Sequence, residues 1–109
     1  MKLETAKSRE FDPVTEQQLR DVFADDEGRG EFLILSEKPE VFIQAGGGGE
    51  GPYVLEYREG NDDHHHTAGN TFSKADVLRG FLWYLAGDAR WRSEFPWQKL
   101  KTKPRWKLW

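Results

Sequence analysis

The residues best suited to chemistry in this chain lie between Glu56 and His66. Three consecutive histidines, His64-His65-His66, follow Asp62 and Asp63. On a strand His64 and His66 would share a face and, with a carboxylate, could chelate a divalent metal. A structural zinc usually takes four ligands at wider separation, and the sequence holds no other histidine to complete such a set. A solvated hairpin turn accounts for the same residues, so no metal or other cofactor is expected. Glu56 beside Tyr57, with the histidines on a neighbouring strand, has the makings of an acid/base pair. A water-facing sheet surface predicts those residues without catalysis. No serine sits in an elbow context and no paired-carboxylate motif is present, so the expectation is a protein that is not an enzyme. The run Gly46-Gly47-Gly48-Gly49 exposes backbone N–H groups of the kind that cradle phosphate. A phosphate loop would continue Gly-Lys-Ser/Thr into a helix, whereas Glu50, Gly51 and Pro52 follow here. A mobile hairpin connection is the expectation for this segment.

These groups must be carried by a small frame. At 109 residues one core fits and a second does not. Five Trp, three Tyr and seven Phe supply large buried area per residue ordered. The absence of cysteine removes disulfides, thiolate catalysis and Cys-ligated zinc together. No apolar run approaches the roughly 18 residues of a membrane span, and the first residues, Met1 to Thr5, lack the apolar core of a secretory signal. A soluble, cytoplasmic protein that does not engage membranes is expected. Charge is uneven. Residues 1–89 hold nine Lys/Arg against eighteen Asp/Glu, a net of −9, and residues 90–109 hold seven against one, a net of +6. Trp91, Trp97, Trp106 and Trp109 in this basic end resemble a surface on which single-stranded nucleic acid stacks. The acidic body argues against a polyanion as partner, and the same tryptophans serve equally as core. The basic end could also lie across the chain's own acidic surface.

Local signals place the elements. Thr15 and Gln18 have capping-box spacing, flanked by Val14 and Leu19 as a hydrophobic staple, and predict a short helix burying Leu19, Val22 and Phe23. Strands are predicted over Glu31–Ser36, Val41–Ala45 and Tyr53–Arg58, with a further edge strand over His64–Ala68. The apolar run Phe32 to Leu35 implies cover on both faces of its strand. Ser73 and Asp76 open a second, longer helix and Gly87 closes it, with Val77, Leu78, Phe81, Leu82 and Leu85 as its buried stripe. Leu100 to Trp109 alternates apolar and basic, so residues 99–109 are predicted as an edge strand or a basic arm. The whole reads as a single α+β domain over 1–109. Its antiparallel meander of three to five strands is packed by the long C-terminal helix and carries a short N-terminal helix.

Three stretches carry a family resemblance: Thr15-x-x-x-Leu19, the Gly-rich step leading into YVLEYREG (Tyr53 to Gly60), and RGFLWYLAGDARWRSEFPW (Arg79 to Trp97). Across about residues 14–98 the chain resembles the immunity proteins that neutralise bacterial polymorphic toxins, particularly those paired with deaminase toxins. The resemblance implies a cytosolic α+β module without catalysis of its own that binds a toxin domain and occludes its active site or substrate groove. An acidic surface would suit a basic toxin, because it speeds encounter by electrostatic steering. The candidate contact residues are Asp25, Asp26, Glu27, Glu50, Glu56, Glu59, Asp62 and Asp63, with Tyr53 and Tyr57 as aromatic anchors. The alternatives are a nucleic-acid-associated protein using the basic C-terminus and a metal-binding protein at the histidine triplet.

Overall fold

The computed structural model describes residues 1–61 and 64–99. Asp62, Asp63 and the predicted strand or arm beyond Lys99 lie outside the described residues. Helix α1 (Glu16–Ala24) starts where the capping box predicts: the Thr15 hydroxyl accepts from the Gln18 amide at 3.1 Å, and the Gln18 side chain accepts from the Thr15 amide at 3.0 Å. Two otherwise orphaned donors are thereby satisfied. Asp25 ends this helix and caps a single turn, α2 (Asp26–Arg29). Helix α3 (Lys74–Ala86) is capped by Ser73 through the Asp76 amide at 3.2 Å and closed by Gly87 in the left-handed conformation, φ 72°. It is not the last element. A short turn of helix, α4 (Arg90–Ser93), and one more strand follow.

The sheet is wider than the sequence predicts. Its seven strands are β1 (Lys2–Thr5), β2 (Glu10–Phe11), β3 (Phe32–Lys38), β4 (Val41–Gly46), β5 (Val54–Glu59), β6 (His65–Ala68) and β7 (Trp97–Lys99). Their order is β2-β1-β3-β4-β5-β6-β7, with every described pairing antiparallel. The predicted meander of three to five strands is its centre, β3 to β6. The three added strands are two to four residues long; β1 and β7 are held by partners distant in sequence, Leu3 opposite Leu35 and Lys99 opposite His66, and β2 pairs with β1. Helices α1–α2 and α3–α4 are excursions between strands, not terminal elements.

One sheet face supplies Leu3, Leu33, Leu35, Ile43, Ala45, Leu55 and Tyr57 to a core closed by the helices. From α1 come Leu19, Val22 and Phe23; from α3 come Val77, Phe81 and Tyr84. Phe23 meets Phe81 edge-on at 5.3 Å, which locks the two helices together. The buried stripe of α3 is rotated from the predicted one. Val77 and Phe81 lie on it, but Gly80 and Tyr84 complete it, while Leu78, Leu82 and Leu85 are only half-buried. The rotation follows from what lies beneath: Tyr84 packs on Trp91 at 5.1 Å, and Gly80 leaves room for the Phe95 ring. Trp91 and Trp97 belong to this aromatic core. Trp91 is buried against Tyr57, and the Trp97 indole N–H donates to the Trp91 carbonyl at 2.9 Å.

Candidate functional site

Those of the acidic residues proposed as one surface that are described occupy two ends and one face of the sheet. At the end where β4 turns into β5, Asp25 accepts from the Gly28 amide at 3.0 Å and pairs with Arg9 at 3.0 Å. Asp26 and Glu50 share Lys74, at 3.0 and 3.2 Å. The hydrogen bond from Lys74 holds the Asp26 carboxyl below its usual range, against the opposing desolvation and helped by the Arg29 charge. Glu27 is exposed on α2. Arg29 is fully buried. One terminal nitrogen bonds Asp26 and reaches the Gly49 carbonyl at 3.4 Å, while Nε and Nη1 have no hydrogen-bond partner. Their compensation is aromatic: the guanidinium lies 5.8 Å from the Phe23 ring and 5.5 Å from the Tyr53 ring.

The four-glycine segment is pinned at several points. The Gly47 amide donates to the Glu31 carbonyl at 2.8 Å, and the Tyr53 hydroxyl donates to the Gly49 carbonyl at 2.6 Å. Gly47 has φ 140°, and a side chain there would meet the Pro52 carbonyl at 2.7 Å, so glycine is required for the close approach. Tyr53, expected as a partner anchor, is 1% exposed and serves as a core residue that ties this loop.

Glu56 lies on the sheet face opposite the helices, in a chain of polar contacts. His65 Nε2 meets the Glu56 carboxylate at 2.9 Å, Arg58 Nε donates to His65 Nδ1 at 3.1 Å, and Arg58 Nη1 donates to Glu40. Arginine can only donate, so Nδ1 is the acceptor and Nε2 carries the hydrogen given to Glu56. The acid/base partnership expected for Glu56 and a histidine is thus present in geometry, but both imidazole nitrogens are engaged and the ring is fully buried. The histidine triplet is divided. His64 bonds Asn61 at 2.9 Å, His65 faces Glu56, and His66 stacks on Tyr57 from the other face, with centroids 4.5 Å apart and rings within 4° of parallel. Burial against that ring lowers the pKa of His66. Among the described residues no three His, Asp or Glu side chains converge as a metal shell.

At the other end of β5, Glu59 is gripped by both terminal nitrogens of Arg92, each at 2.6 Å. That pairing holds its carboxyl below the usual range. The Arg92 guanidinium lies 4.4 Å from the Trp91 ring. Tyr57, the second expected anchor, is 7% exposed, enclosed by His66, Trp91 and Trp97. Because Gly46 opposes Val54 and Val41 opposes Glu59, the Glu50 loop and Glu59 are separated by the length of the strands, about 17 Å at 3.4 Å per residue. Three residues at the Glu59 end were not singled out by sequence: Glu37, Tyr84 and Arg92. Only Arg92, next to Trp91, carried a local cue. No family model, curated protein or solved structure matches this chain. No helix among the described residues is long and apolar enough to cross a membrane.

Proposed function

We propose that this chain is a non-enzymatic protein-binding module that engages a basic protein, in the manner the immunity-protein resemblance implies, and blocks a cognate toxin. The observation that carries this reading is the charge of the folded body: residues 1–99 hold nineteen Asp/Glu against twelve Lys/Arg, a net of −7, and exposed carboxylates stand at both ends of the sheet. Such a body steers a cationic partner and repels a polyanion. The side chains that catalysis would need are committed elsewhere, Glu56 to His65 and His65 to Arg58. The test is affinity capture by the tagged chain from its source cells with identification by mass spectrometry. The recombinant partner is then expressed with and without the chain. A basic partner that binds one-to-one and whose toxicity the chain suppresses is expected. An acidic partner, or capture that vanishes on nuclease treatment, contradicts the reading.

A further inference from the structure

At the Glu59 end, Tyr84 poses a local problem. It is 6% exposed, and its hydroxyl makes no hydrogen bond among the described residues. It lines a cleft of about 260 Å³ whose other walls include Glu37, Val41, Glu59, Trp91 and Arg92. Glu59 and Arg92 neutralise each other through their two-point pair. Glu37, exposed near the end of β3, has no ion pair among the described residues, and Met1 also lines the cleft. Burial raises the Tyr84 hydroxyl pKa strongly, and Glu37 and Glu59 raise it further against the opposing pull of Arg92. The hydroxyl is therefore held protonated beside a carboxylate, with lone pairs free to accept. The volume falls below the roughly 300–1,000 Å³ of small-molecule sites and suits one long side chain inserted from outside.

We propose that this cleft is the anchor point for a basic side chain of the protein partner, its cationic head held between the Glu37 carboxylate and the Tyr84 hydroxyl and its stem against Val41 and Trp91. The inference rests on the protein-binding reading and gives it a place and a chemistry. The charge complementarity is specific, because a cation here meets a carboxylate and an acceptor that are unpaired among the described residues, whereas at the opposite end Lys74 already supplies the cation for Asp26 and Glu50.

The probes are three capped tripeptides with lysine, arginine or norleucine at the centre, titrated into the labelled full chain and followed by NMR. The Trp91 indole and Gly87 amide resonances are expected to shift saturably with the lysine or arginine peptide and not with norleucine. Tyr84→Phe removes one hydrogen bond and should weaken binding about five-fold. Glu37→Gln, at an exposed position where folding is not at risk, should weaken it by about ten-fold or more. Equal shifts at Asp25, Glu27 and Glu50, unaffected by either variant, would mean diffuse acidic attraction and overturn the proposal, as would no shift at Trp91. If a basic partner is captured but binds both variants as tightly as the unaltered chain, the anchor fails and the binding function stands. If the probes bind here but no basic partner exists, the function fails alone.

Discussion

Replacing Gly80 with alanine sets two opposed effects against each other at one atom. In a helix interior the substitution normally stabilises by about 1 kcal/mol, since alanine loses less backbone entropy on folding. Here the added Cβ would lie 2.8 Å from Phe95 Cε2 and 2.9 Å from Cζ, whereas carbon atoms in contact sit about 3.5–4.0 Å apart. The Phe95 ring must retreat by about 0.7 Å or more, and it is poorly placed to do so. It is 8% exposed and in ring contact with Phe72 at 5.1 Å and Trp97 at 5.8 Å. Overpacking of this kind costs about 1–3 kcal/mol, so Gly80→Ala is expected to lose about 1 kcal/mol net, a fall in Tm of about 4–8 °C for a domain near this size. Urea denaturation of Gly80→Ala, Phe95→Leu and the double variant measures the coupling. The clash should vanish with the ring, so alanine should stabilise in the Phe95→Leu background. A gain in stability from Gly80→Ala alone would refute the packing of α3 described above.

Arg29→Met should leave stability within about 1 kcal/mol of the unaltered chain, because a buried ion pair often yields to an apolar side chain of similar length. Arg29→Ala should cost about 2–5 kcal/mol through the cavity it opens beneath Phe23 and Tyr53; equal effects of the two, by chemical denaturation, would show that the charge and not the packing matters there. The depressed pKa of His66 means that the folded protein resists its protonation. Stability should therefore be flat above the ordinary imidazole value of about 6.5 and decline as pH falls through it towards the lower folded value; melting curves should show a smaller decline in His66→Asn. The lowered carboxyl pKa values of Asp26 and Glu59 act in the same direction, over a lower pH range. Their stabilisation is present above the ordinary carboxylate range and is lost as pH falls through their folded values, so Glu59→Gln should blunt the acid limb of the same profile.

What the sequence disclosed follows the range over which each signal acts. The caps at Thr15, Ser73 and Gly87 are set by groups three or four residues apart, and each occurs where the residues predict. The apolar run of β3, the alternation of β5, where Leu55 and Tyr57 face the core together, and the turn residues between strands located β3, β4, β5 and β6 to within a residue or two. Strands β1, β2 and β7 are too short for alternation to register; β1 and β7 depend on Leu35 and His66, far away in the chain, and β2 depends on β1. The stripe on α3 was misplaced because hydrophobicity alone favours Leu82 and Leu85, while the aromatic floor under the helix selects Tyr84 and a glycine. The acidic surface failed to cohere for a related reason. Asp25, Glu50 and Glu59 read alike as exposed carboxylates, but antiparallel pairing sends Glu50 and Glu59 to opposite ends. Nothing near Glu37 in sequence announces that it shares a cleft with Tyr84.

The most direct test of a steered, basic protein partner is the association rate constant of the captured partner, measured by stopped flow from about 0.05 M to about 0.5 M salt, where the screening length falls several-fold. The on-rate is expected to drop by at least about ten-fold over this range while the off-rate changes far less. An on-rate indifferent to salt, or one that rises, would contradict it.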